Sequence, residues 1–248
     1  MSLPPFEPGW ALFLDVDGTL LDIVERPEDV DRHEVDLELV AGLQRASAGA
    51  LALISGRSLA MLDEMFAPLR LPAAGQHGVE RRDAQGRRHR HRFPAEVLRP
   101  AAAGIRDFAG RHRGLVFEDK GCSVALHYRL APQLEDVARE VVHKAAAAIG
   151  SSVEVQGGKM VVELKPAGTD KGRAIEAFMQ EPPFEGRTPV FLGDDITDEY
   201  GFRVVNRLGG YSIKVGEGDT SAHWRLADPS AARGWLRQWL RTCGSAST

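Results

Sequence analysis

Three short apolar runs along the chain each stop at a polar residue able to do chemistry. Residues 11–14 lead into Asp15, residues 50–54 into Ser55, and residues 189–192 into Gly193-Asp194. Each run has the length of a strand buried on both faces, although periodicity alone does not separate that from a buried helical turn. Between the runs the period changes. Apolar residues at Leu37, Leu39, Val40 and Leu43 predict a helix over 36–46, and 58–66 continues in the same way. Strands alternating with helices predict an α/β fold: a Rossmann-like parallel-sheet core with helices on both faces. Ligands of such sheets collect outside the carboxyl ends of the strands, where Asp15, Ser55 and Asp194 would converge.

The middle of the chain follows a different rule. In 123–129, Val124, Leu126 and Tyr128 share one strand face, and His127 and Arg129 share the other. In 159–165, Met160, Val162 and Leu164 oppose Lys159, Glu163 and Lys165. Helical stretches at 94–111 and 132–149 precede these strands. Two helices on one face of an antiparallel sheet make a smaller inserted α/β cap, its other face polar and able to meet a ligand. The expected division is a catalytic core of residues 1–94 and 166–248, with the cap at 95–165.

Composition narrows the function class. A formal net charge of −4 gives no reason to expect nucleic-acid or membrane binding. Only Cys122 and Cys243 occur, far apart, which fits a reducing compartment and argues against a thiolate metal site. No apolar run nears the roughly 20 residues needed to span a bilayer, and the first residues lack a signal pattern. A cytoplasmic, monomeric enzyme is the expectation. The segment 81–92 is rich in Arg and His around Gln85-Gly86 and predicts a basic hairpin with a solvated face. His89 and His91 could share a strand face for a metal, but the arginines beside them would repel a cation.

The chemistry-bearing residues are those at the strand ends. In Asp15-Val16-Asp17-Gly18-Thr19 the first carboxylate can attack phosphorus, and the second can give a proton to the leaving oxygen. Gly18 allows a sharp turn that exposes backbone amides. A calcium loop would need its glycine at the sixth position and a glutamate at the twelfth; here glycine is fourth and the twelfth residue is Arg26. Residues 193–199, GDDITDE, put four carboxylates in one loop, a density that calls for a cation. Magnesium takes one or two carboxylates together with substrate phosphate, and Asp15 and Asp194 suit it. A helix amino terminus rich in acidic residues would explain Asp198 and Glu199 through its dipole, but it explains the Asp194-Asp195 pair less well. Ser55-Gly56-Arg57 offers a hydroxyl, an amide and a guanidinium to phosphate oxygens, although a serine there also serves as a helix cap. Lys171 opens a predicted helix, where the dipole disfavours it; it is either a phosphate ligand or a surface lysine. Together these parts supply a nucleophile, an acid, a metal site and a phosphate cradle.

In this order DVDGT, ISGR, the Lys171 region and GDDITDE resemble the four motifs of the haloacid dehalogenase superfamily of phosphatases. That resemblance implies Asp15 as nucleophile, Asp17 as acid/base, and Ser55, Gly56 and Lys171 as phosphate ligands. It also implies Mg²⁺ held by the Asp15 and Asp194 side chains and the Asp17 carbonyl, with Asp195 or Asp198 in support. More narrowly, AGQHGVE, FEDKGCSVALHYR, KMVVELKPAGTDKG and FLGDDITDEYGF are similar to segments of the trehalose-6-phosphate phosphatase family, over 10–239. This similarity implies that Glu118, Lys120, Arg129, Lys159 and Glu163 grip the sugar from the cap, with His77 and Gly78 contacting it from the core. An exposed, solvated sheet face competes for the cap residues, and a structural histidine for His77. The resulting expectation is hydrolysis of trehalose 6-phosphate. Its rivals are a capped phosphatase or phosphomutase for another sugar phosphate, and a non-catalytic sugar-phosphate sensor.

Overall fold

The structure is a computed structural model that describes residues 3, 4, 6, 7, 9–22, 35–91, 93–158 and 160–245. The chain divides into two compact units. One comprises Met1–His89 with Asp170–Thr248, and the other comprises Arg90–Thr169.

The first unit is built on a sheet of order β12-β11-β10-β1-β2-β3-β4-β5. Its strands are β1 (Trp10–Leu14), β2 (Leu51–Ile54), β3 (Ala73–Gly75), β4 (Glu80–Arg82), β5 (Arg88–Arg90), β10 (Thr188–Gly193), β11 (Tyr211–Val215) and β12 (Trp224–Leu226). The run from β12 to β3 is parallel, and β4 returns antiparallel against β3. Every residue of β1 and β2 is buried, which explains why both read as continuous apolar runs rather than as alternations. Successive β1 side chains still part to opposite faces. Trp10, Leu12 and Leu14 join a core with α1 (Leu37–Ala46), α2 (Leu59–Met65) and α7 (Pro229–Ser245). Ala11 and Phe13 join a second core with α5 (Lys171–Met179) and α6 (Asp198–Arg207). Helices therefore cover both faces, as the period changes predict. Asp36 caps α1 by accepting from Leu39 N–H at 2.9 Å, and Ser58 caps α2 from Met61 N–H at 3.2 Å. β1 lies between β2 and β10, so the connections leave it in opposite directions and open a crevice at its carboxyl end.

The second unit has an antiparallel sheet of order β6-β7-β9-β8: β6 (Val116–Asp119), β7 (Val124–His127), β8 (Val153–Gly158) and β9 (Val161–Pro166). Its core joins Val124, Leu126, Tyr128, Val162 and Leu164 to Leu98, Ile105, Ala138 and Val142 of α3 (Ala95–Arg111) and α4 (Glu135–Ile149). Two details differ from the sequence pattern. Met160 is exposed, with φ of +61°, and stands before the strand instead of on its apolar face. Glu163 and Lys165, expected on a solvated face, are 3% and 1% exposed. Burial of such charges requires partners. Lys165 donates to the Thr169 carbonyl and pairs with Glu154 at 3.0 Å, and Glu163 pairs with Lys120 at 3.0 Å.

Candidate active site

The first loop is shaped by its backbone. Asp15 N–H donates to the Leu192 carbonyl at 3.0 Å, which fixes the end of β1 beside the strand that leads to Asp194. Leu20 and Leu21 N–H both return to the Val16 carbonyl, at 3.0 and 2.9 Å, and close a tight turn. Gly18 has φ of +82° within it, and a Cβ there would lie 2.2 Å from Asp194 Oδ2. Glycine is needed both for the turn and for the approach of that carboxylate.

Lys171 is the first residue of α5 and is buried. Its ammonium donates to Asp15 Oδ1 and to Asp198 Oδ1, both at 2.7 Å. The other Asp198 oxygen accepts from the N–H groups of Asp194 and Asp195, at 3.0 and 2.9 Å. Asp198 thus braces the acidic loop from inside, close against Gly193, where a Cβ would lie 2.3 Å from its Cγ. Lys214 of β11 donates to the Asp194 carbonyl. Glu199 accepts from the Ser221 N–H at 2.8 Å and from the Thr220 hydroxyl at 2.7 Å. One oxygen each from Asp15, Asp194 and Asp198 lies within 4.8 Å of the others.

The electrostatics follow from this crowding. Burial, and then the Asp198 charge, push the Asp15 carboxyl well above the usual carboxylate range, with Lys171 opposing. Burial alone would lower the Lys171 pKa; the Asp15 and Asp198 carboxylates outweigh it and hold the pKa above the ordinary lysine value.

The second loop carries the remaining core residues. Ser55 N–H donates to the Ala74 carbonyl at 2.9 Å, and its hydroxyl accepts from Arg57 N–H at 3.1 Å. A Cβ on Gly56 would meet His77 Cε1 at 2.7 Å, so the imidazole lies against that glycine. His77 is held at φ +54° in a 3₁₀ turn over Gln76–Gly78, and its N–H donates to the Ser55 carbonyl at 3.0 Å. A Cβ on Gly78 would be 2.6 Å from the carbonyl of Asp170, the cap of α5. Arg57, expected to face phosphate oxygens, instead grips Asp17: Nε to Oδ2 at 2.8 Å and Nη2 to Oδ1 at 2.7 Å.

Strand ends and the first residues of α5 and α6, far apart in the chain, therefore deliver Asp15, Asp17, Ser55, Gly56, His77, Gly78, Lys171, Asp194, Asp195 and Asp198 to one end of the parallel sheet. A sequence model described as trehalose-phosphatase matches residues 13–230, most of the chain and all of these residues. The chain belongs to the trehalose-phosphatase family. A trehalose-6-phosphate phosphatase of Escherichia coli strain K12 is 48% identical over 233 residues, covering 94% of this chain and 87% of that one. Solved structures agree on the fold. The C-terminal domain of a Candida albicans trehalose-6-phosphate phosphatase has a TM-score of 0.81 at 22% identity, over 94% of this chain and 92% of that one. A haloacid dehalogenase-like hydrolase from B. subtilis has a TM-score of 0.67 at 12% identity, over 92% and 99%.

In the inserted unit of this family member, Glu118, Lys120 and Glu163 come together on the sheet face opposite α3 and α4. Lys120 donates to Glu163 at 3.0 Å, and Glu118 faces His127 Nε2 at 2.8 Å. Burial would lower the Lys120 pKa, but Glu163 and Glu118 outweigh it and raise it. Burial would raise Glu118; its hydrogen bond with His127 and the Lys120 charge hold it below the usual range. Arg129 is half-buried just past β7, and Lys159 lies outside the described residues. Sequence reasoning passed over Lys214 and the partnership of His127 with Glu118. For His127 the signal was its place on the polar face of β7. Nothing in the local pattern of β11 marks Lys214.

Proposed function

We propose that this chain hydrolyses trehalose 6-phosphate to trehalose and phosphate, through an aspartyl-phosphate on Asp15 and with Mg²⁺ as cofactor. The observation that carries the chemistry is the buried Lys171 ammonium, 2.7 Å from both Asp15 and Asp198. It opposes the penalty that burial and the Asp198 charge place on a nucleophilic carboxylate, and it leaves one cation placed to meet phosphoryl oxygens. The substrate rests on the E. coli relative, which bears that activity in its name and covers nearly the whole chain.

The donor set suits magnesium: three carboxylates within reach of one another, two of them buried, with a single lysine bridging Asp15 and Asp198. The Asp15 and Asp194 side chains and the Asp17 carbonyl would hold the ion, Asp195 and Asp198 supporting them. Bound there, magnesium supplies charge neutralisation for the transferring phosphoryl group. In the first step Asp15 Oδ attacks phosphorus, the bond from phosphorus to the sugar oxygen breaks, and the Asp17 carboxyl gives its proton to that oxygen. In the second step Asp17 takes a proton from water, the water oxygen attacks phosphorus, and the bond to Asp15 breaks. The Ser55 hydroxyl and the Gly56 amide orient the phosphate with Lys171. Glu118, Lys120, Arg129, Lys159 and Glu163 of the inserted unit bind sugar hydroxyls, with His77 and Gly78 on the core side. Monomeric state and a cytoplasmic setting belong to the same reading.

Asp15→Asn should lose essentially all phosphate release and all acid-stable labelling of the protein by radiolabelled substrate. Turnover near wild type would end the covalent reading. In a substrate panel, trehalose 6-phosphate should give the highest kcat/KM; a higher value for glucose 6-phosphate or sucrose 6-phosphate would move the assignment to another sugar phosphate.

A further inference from the structure

Arg57 follows β2 and Asp17 follows β1, 40 residues earlier, yet their side chains meet through two parallel N–H···O bonds of 2.8 and 2.7 Å. This fork-to-fork geometry fixes the plane and direction of a carboxylate, which one lysine point charge cannot do. The arginine is itself held firmly. Its backbone N–H donates to the Ser55 hydroxyl at 3.1 Å, and its carbonyl accepts from Gln76 N–H at 2.9 Å. Gly75 packs so close that a Cβ there would lie 2.8 Å from that carbonyl. The two side chains also differ in exposure: 7% for Arg57 against 38% for Asp17. A buried, anchored guanidinium thus holds a carboxylate whose outer edge is open, as an acid that must reach a leaving oxygen requires.

We infer that Arg57 is a positioning residue that acts on the reaction through Asp17, and not a direct ligand of the phosphoryl group. This rests on the reading of Asp17 as acid/base given above. Its consequence is that the loop carrying the phosphate-binding hydroxyl also sets the aim of the proton donor, so phosphate seating and proton delivery share one rigid segment.

A double-mutant cycle on the full chain with trehalose 6-phosphate tests this, by single-turnover measurement with enzyme in excess. Asp17→Asn should slow the reaction by about 10³-fold, within the usual range for a general acid. Arg57→Lys, which keeps the charge and loses the fork, should slow it by about 10²-fold with little change in KM. The double variant should be within about threefold of Asp17→Asn alone, because Arg57 then has no carboxylate to aim. The inhibition constant of inorganic phosphate should be unchanged in Arg57→Lys. Losses that multiply in the double variant, or weaker phosphate inhibition, would assign Arg57 to the phosphate and overturn the inference. Wild-type rates in Arg57→Lys would overturn it as well. Wild-type rates in Asp17→Asn would instead remove the acid/base reading on which it stands. Arg57→Gln, compared by thermal melting, separates loss of fold from loss of aim: a positioning role predicts folded protein and a slow reaction.

Discussion

Asp198 shows how one side chain can hold two loops by using its two oxygens differently. One accepts from the Lys171 ammonium, and the other from two consecutive backbone N–H groups. An asparagine has the same shape but opposite polarity at its two ends. Turned one way, its amide N–H₂ faces the ammonium; turned the other way, it faces the two backbone donors. Asp198→Asn should therefore lose about 3 kcal/mol or more of stability in denaturant unfolding, together with most activity. Asp195→Asn should be nearly neutral in the same unfolding experiment, since the Asp195 carboxylate accepts from the adjacent Ile196 N–H at 2.7 Å, a bond that an amide oxygen also accepts. Equal stability loss in the two variants would refute this account of Asp198. At this scale the motifs announced which residue types would meet. The division of labour among them was hidden, because Arg57 turns to Asp17 and Lys214 reaches the Asp194 carbonyl across chain separations that no local pattern records.

Among the elements, the β4–β5 connection departs furthest from its sequence pattern. Its run of arginines suggested a solvated face, yet Arg82 is 2% exposed and donates twice to the Leu71 carbonyl, while Arg81 pairs with Glu181. At its centre Asp83 is buried and accepts from Gln85 N–H, Arg87 N–H and Arg87 Nε, with His89 Nε2 3.0 Å away. Burial would raise its pKa; the hydrogen bonds from His89 and Arg87 outweigh that and hold it below the usual carboxylate range. A carboxyl depressed in the folded state stabilises the fold above its unfolded-state value, and that contribution is lost as pH falls toward the folded value. The melting-temperature gap between wild type and Asp83→Asn should thus be widest near neutrality and narrow from about pH 5 to about pH 3. A gap that stays constant or widens with acid would contradict this. The contrast with β1, β2 and β10 is instructive. Their apolar runs were legible because both faces are buried and the pattern needs no partner to decode it. The arginines of β4, and Lys165 in β9, become interior only because Asp63, Glu181 and Glu154 arrive from elsewhere in the chain. Charge alone reads as exposure until such a partner is known.

For the molecule as a whole, the division of the chain matters more than any single contact. The inserted unit is one continuous segment, Arg90–Thr169, whereas the first unit is assembled from the two ends of the chain. Within the inserted unit, β6–β7 and β8–β9 pair between close neighbours in sequence. In the first unit, β1 pairs with β10, and Trp10 stands opposite Thr188. Long loops must close before that pairing is rewarded, which slows it relative to local pairing. Pulse-labelled hydrogen exchange during refolding should protect amides of β7 and β9 before those of β1 and β10; the reverse order would refute the argument. A ribosome making this protein releases Asp15 before the inserted unit, and Lys171 with the acidic loop of residues 193–199 only after it. On the proposed reading of the site, a nascent chain stopped short of residue 198 would carry a finished inserted unit but an incomplete reaction centre, so phosphate release would itself certify that translation had passed that point.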